Sequence, residues 1–89
     1  MELNFSNHAI TRCQQRGIPL EVLNFLYKYG NKIQTHQDKK YFCNKKLLKK
    51  LFTREKALIK KFDKQILNTA IVCNGNTVIT AMKITEGIR

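Results

Sequence analysis

From Leu20 onward the apolar residues Val22, Leu23, Leu26 and Tyr29 recur at helical spacing, and Gly30 closes the run. Upstream, Ser6 is a good helix N-cap and no breaker intervenes before Arg16. Gly17 stands where a left-handed C-terminal cap is wanted, and Ile18 supplies the apolar contact that accompanies such a cap. Pro19 suits the first turn of a following helix. The pattern predicts two helices joined by a tight turn. Residues 2–5 are expected as a short edge strand or a plain lead-in.

The period then changes. Ile33–His36 and Lys40–Cys43 read as two short strands around a Gln37-Asp38-Lys39 turn. Residues 45–62 return to helical spacing, with Leu47, Leu48, Leu51, Phe52, Leu58, Ile59 and Phe62 along one stripe. Thr53 offers a point at which this helix could split. Ile66–Cys73 and Thr77–Ile84 are β-branched runs flanking Asn74-Gly75-Asn76, a strong hairpin signal. In the first of these runs both faces are apolar, which places the hairpin at the centre of a sheet. The expected fold class is α+β: two N-terminal helices packed on a curved antiparallel sheet of about four strands, with a basic helical segment inserted between strand pairs.

Eighty-nine residues leave room for a single domain, and a 43% apolar, 26% charged composition is that of a folded protein. The opening residues lack the basic start and apolar run of a secretory signal, and no stretch is long and apolar enough to span a bilayer. The odd set Cys13, Cys43 and Cys73 contains no C-x-x-C pair, unlike a disulfide scaffold or a spaced metal site. Free thiols fit a reducing cytoplasm, and neither metal nor cofactor is expected.

Charge changes the picture more. Seventeen Lys and Arg against six Asp and Glu give a net +11, and residues 39–64 hold eleven of the cations but only two acids, Glu55 and Asp63. A merely solvated face mixes both signs. Here Lys45, Lys46, Lys49, Lys50, Lys56, Lys60 and Lys61 fall mostly opposite the apolar stripe. Lysines used as point charges hold phosphates without reading sequence, so the expected partner is a nucleic acid. A membrane is not, because the small core needs the apolar stripe.

On the first helix His8, Arg12 and Arg16 are spaced by four and share one face, with Gln15 between them; Ala9, Ile10 and Cys13 point toward the core. A neutral imidazole could accept the proton of a ribose 2′-hydroxyl, and the guanidiniums could hold the scissile phosphate. The same spacing is common on solvated helices, so alone it carries little. His36 and Tyr41 are further polar residues on strands, with a structural role the simpler reading.

The run Ser6-Asn7-His8-Ala9-Ile10-Thr11-Arg12-Cys13-Gln14-Gln15-Arg16-Gly17-Ile18 resembles the S-x-H-A-x-x-R-x-x-x-R-G-I opening of a family of small bacterial and phage domains. That family is similar to RelE/ParE-type toxins and to the barnase, EndoU, colicin and RelE group of ribonucleases. Val78-Ile79-Thr80-Ala81-Met82-Lys83 resembles the last strand of such domains. The likeness covers the helical start and the final hairpin, roughly half the chain, and leaves 45–64 as an insertion in a single RelE/ParE-like domain over 1–89.

The resemblance implies a toxin-like, metal-independent endoribonuclease that cleaves RNA, such as ribosome-associated mRNA, by 2′-hydroxyl attack. It implies His8 and Arg12 as catalytic residues, with Lys83 stabilising the phosphorane. Arg16 would contact phosphate, and Thr80 and Lys83 would face the cleft. Three residues apart on a regular strand, those two point to opposite faces unless a bulge intervenes. Lys45, Lys46, Lys49, Lys50, Lys56 and Lys60 would dock the RNA. Toxins of this kind pair with an acidic antitoxin-like protein. The competing reading is a non-catalytic nucleic-acid-binding or protein-interaction module. The first two helices superficially suggest a helix-turn-helix, but Leu20–Tyr29 is too apolar to read base edges.

Overall fold

The computed structural model describes residues 3–84. In chain order it forms β1 (Asn4–Phe5), α1 (Asn7–Arg16), α2 (Leu20–Tyr29), β2 (Asn31–Gln34) and β3 (Lys39–Phe42). There follow α3 (Lys45–Leu51), α4 (Lys56–Leu67), β4 (Thr69–Asn74) and β5 (Thr77–Lys83). The fold is α+β, with one five-stranded sheet in the order β1-β5-β4-β3-β2.

Four details differ from the sequence reading. The sheet is mixed, because β1 joins it as a fifth strand running parallel to β5, with Phe5 opposite Val78. Residue 2 of the expected lead-in lies outside the described residues. The basic segment splits after Leu51, as Thr53 suggested, but α4 continues to Leu67 and β4 starts only at Thr69. α4 kinks at Phe62 (φ −127°, ψ 21°), and Ile66 beyond the kink is fully buried in the core, so packing outweighs its β-branched character. Pro19 is extended (φ −67°, ψ 146°) and caps α2 instead of entering it. β2 and β3 sit one or two residues earlier than expected, around a turn at 35–38.

The strand register separates two faces. Tyr41, Ile71 and Ala81 align across β3, β4 and β5, as do Cys73 and Val78. All five are buried in one cluster with Val22, Leu23, Phe25 and Leu26 of α2 and Ala9 and Cys13 of α1. Leu48, Leu51, Ile59 and Ile66 belong to the same cluster. The lysine-rich segment is therefore part of the core and not an appendage. On the other face, Ile33, Phe42, Val72 and Met82 stand outside that cluster, half-buried or exposed. Central β4 accounts for the apolar residues on both its faces.

Hairpin β4–β5 turns on Gly75-Asn76, with Gly75 at φ +60°, where a side chain would be strained. Farther along, Cys73 pairs with Val78 but Val72 pairs with Thr80, so Ile79 is the extra residue of a β-bulge. No helix among the described residues is long and apolar enough to cross a membrane.

Candidate nucleic-acid interface

Helix α1 is fixed at both ends. Ser6 Oγ accepts from Ala9 N (3.1 Å) and donates to the Ile79 carbonyl (2.8 Å). At the other end Gly17 (φ 64°) caps the helix, and Gln65 Nε2 of α4 donates to its carbonyl at 3.1 Å. Between these anchors Ala9 and Cys13 are buried, His8 and Arg16 are exposed, and Arg12 is half-buried. Ile10, expected inside, is 42% exposed. It lies a hundred degrees round the helix from Ala9, at the border of a shallow apolar groove shared with Leu20.

These anchors decide which charges meet. Nine residues of helix, ~13 Å, separate His8 from Gly17. Only the Arg16 end of α1 therefore lies against α4. Gln65 precedes Thr69 by four residues, and Thr69 pairs with Lys83. Lys83 ends β5 opposite Thr69, four residues along the strand from Ile79, whose carbonyl anchors the start of α1. The bulge lies before Thr80, and from Thr80 to Lys83 the register is regular. Those two side chains accordingly leave opposite faces of the sheet, Thr80 beside Val72 and Lys83 beside Thr69.

On α3 and α4, Lys45, Lys46, Lys49, Lys50, Lys56 and Lys60 are all exposed. The two acids of this segment each accept one hydrogen bond and are far outnumbered by the lysines. Glu55 is turned inward, its Oε2 accepting from the Tyr29 hydroxyl at 3.1 Å. Asp63 Oδ1 accepts from the backbone N–H of Lys64 at 2.8 Å. Neither α3 nor α4 has an acid in its first turn, where the helix dipole would favour one. Lys45, Lys49 and Asp63 also rim a groove of about 400 Å³ floored by Leu48, Phe52, Ile59 and Leu67.

None of His8, Arg12, Arg16, Thr80 and Lys83 lines a groove among those found in the described residues. The concavity with chemistry in it lies elsewhere, at the hairpin-turn end of the helix-covered face. Tyr27 from α2 meets Tyr41 from β3 there, ring centroids 5.2 Å apart at 44°, flanked by Lys32, Gln34 and Lys39. Tyr41 was visible in the sequence only as a strand residue. Its partnership with Tyr27 depends on how α2 crosses the sheet, which no local pattern encodes. His36 is exposed in the β2–β3 turn.

All three cysteines are free and buried. Burial raises each thiol, Cys43 to about 11 and Cys73 to about 11 with help from the nearby Asp38 carboxylate. They are protonated thiols at neutral pH, unsuited to nucleophilic work. Among the described residues no three His, Cys, Asp or Glu side chains cluster as metal ligands would. No protein-family model, curated protein or solved structure matches the chain.

Proposed function

We propose that this protein is a toxin-like RNA-binding protein whose docking surface is the α3–α4 lysine face, extended by Arg16. The observation that carries this reading is that six exposed lysines line two helices in a segment with eleven cations and only two acids, Glu55 and Asp63. Such a surface costs folding stability through self-repulsion, and a polyphosphate backbone returns it. Free buried thiols suit a reducing cytoplasm. An acidic, antitoxin-like protein would fit the same face.

The catalytic form of this reading assigns metal-independent cleavage to His8 and Arg12. His8 is exposed and one helical turn from Arg12, as a base and a phosphate-holding cation would need to be. His8 would take the 2′-hydroxyl proton as that oxygen attacks phosphorus. The bond to the 5′-oxygen then breaks, that oxygen gains a proton from solvent, and a 2′,3′-cyclic phosphate remains. Arg12 would offset charge growing on the phosphorane. Lys83, four residues along β5 from the Ile79 anchor of α1, fits a backbone contact better than a share in the same phosphorane. The exposed setting of His8 favours the non-catalytic module as the second reading.

Both are tested by incubating wild type and His8→Ala with structured and single-stranded RNA in EDTA. Binding by both proteins, with cyclic-phosphate products from wild type alone, supports the catalytic form. Equal binding with no cleavage by either leaves the binding module. Failure of the wild type to bind RNA at low salt contradicts the proposal itself.

A further inference from the structure

Two cavities of about 600 and 520 Å³ open side by side at the hairpin-turn end of the sheet, sharing Tyr27, Lys32 and Tyr41 in their walls. Their size is that of a small-ligand site. The floor is the core face of β3 and β4, through Tyr41 and Cys73, and one wall is Asn24 and Tyr27 of α2. Here the helix layer stops short of the strand ends, leaving the paired rings at the bottom of a recess. Tyr41 is 5% exposed and Tyr27 half-buried, so packing rather than solvent holds their positions.

The lining selects among ligands. Lys32 and Lys39 are exposed on β2 and β3 at its mouth. Lys28 also borders it, with its Nζ 5.1 Å from the centre of the Tyr29 ring. No Asp or Glu lines either cavity among the described residues. Beside the floor, Asp38 accepts from Asn74 Nδ2 (3.2 Å). Gln34 is pinned by donating its Nε2 to the carbonyls of Thr35 (3.1 Å) and Asp38 (3.2 Å). A half-buried Tyr27 ring backed by the buried Tyr41, cations at the rim and amides between them match the parts of a nucleotide: base, phosphate and base edge.

We propose that this recess takes one unpaired nucleotide of a single-stranded RNA, its base against the Tyr27 ring, which Tyr41 backs, and its phosphates at Lys32 and Lys39. The inference rests on the RNA-binding reading above and gives it a strand preference and a second contact. A base inside a duplex is stacked and cannot enter a recess; an unpaired one can. The route onward is short. Strand β3 and the two residues after it lead from Lys39 at the recess to Lys45 of α3, six residues or ~20 Å of extended chain, room for about three nucleotides.

The test uses a fluorescein-labelled ten-nucleotide oligoadenylate, an RNA duplex of the same length and free AMP. Binding is followed by anisotropy in wild type, Tyr27→Leu, Tyr27→Phe, Lys32→Gln/Lys39→Gln and the ridge variant Lys49→Gln/Lys60→Gln. Tyr27→Leu is expected to weaken oligoadenylate roughly fivefold or more while Tyr27→Phe stays near wild type, because stacking needs the ring. The Lys32→Gln/Lys39→Gln protein should weaken the strand too, and duplex binding should ignore Tyr27→Leu. The chain has no tryptophan and three tyrosines, two of them in the recess, so intrinsic emission should quench as the strand binds. If Tyr27→Leu fails to fold by circular dichroism, the double lysine variant decides. Recess variants that bind like wild type while the ridge variant weakens would overturn the recess and leave RNA binding standing. AMP held as tightly as the strand would overturn the strand assignment. A wild type that ignores all RNA would overturn both readings.

Discussion

The Ser6 hydroxyl donates to the carbonyl of Ile79, seventy-three residues away, while its oxygen caps α1 through the N–H of Ala9. One atom thus closes a helix end and satisfies the bulged residue of the last strand. Ser6→Ala should lower stability by about 1–2 kcal/mol in urea unfolding. Ser6→Asp keeps the cap acceptor but has no proton for Ile79, so it should recover only part of that loss. Full recovery by Asp would show that the link to Ile79 contributes nothing.

Two glycines are needed for different reasons, and alanine separates them. Gly17 is left-handed with open space where a side chain would go, so Gly17→Ala should cost only backbone strain, about 1–2 kcal/mol. Gly30 has an ordinary φ, but a Cβ there would lie 2.5 Å from the Leu26 carbonyl oxygen and 2.9 Å from that of Phe42. Both obstacles are backbone. Gly30→Ala should therefore be the more damaging change, read as the larger drop in Tm.

How much of this was legible in advance divides along local and non-local lines. The Ser6 and Gly17 caps, the Gly75-Asn76 turn and the lysine face each follow from a few adjacent residues, and each is where the chain pattern puts it. The parallel pairing of Asn4 and Phe5 with β5 is set by a strand more than seventy residues later. Ile66 is β-branched like a strand residue, but its burial in the core keeps it in the last part of α4, beyond the kink at Phe62. Where α4 anchors α1 is not carried by periodicity along α1.

Lys45 opens α3 at the positive end of its dipole, with no acid in that turn. Lys45→Glu should raise stability by about 0.3–1 kcal/mol while weakening RNA binding. A gain in stability with unchanged RNA affinity would place the RNA elsewhere.

Burial holds the Cys43 and Cys73 thiols up to about 11 from an ordinary 9.0. The folded state therefore keeps protons that the unfolded chain gives up, and the stability this brings is full below pH 9. It is lost as pH rises from about 9 through about 11. Cys73→Ala should flatten that fall in a series of urea melts, and reaction of the native thiols with iodoacetamide at pH 7.5 should be slow. Rapid native-state alkylation would contradict the burial.

The account turns on the lysine face meeting phosphates, and the salt dependence of RNA binding tests that most directly. With at least four phosphates neutralised, the log–log slope of affinity against salt for a single strand should be about −3 or steeper. It should flatten in Lys49→Gln/Lys60→Gln. A slope near zero, or one indifferent to the ridge lysines, would contradict the account.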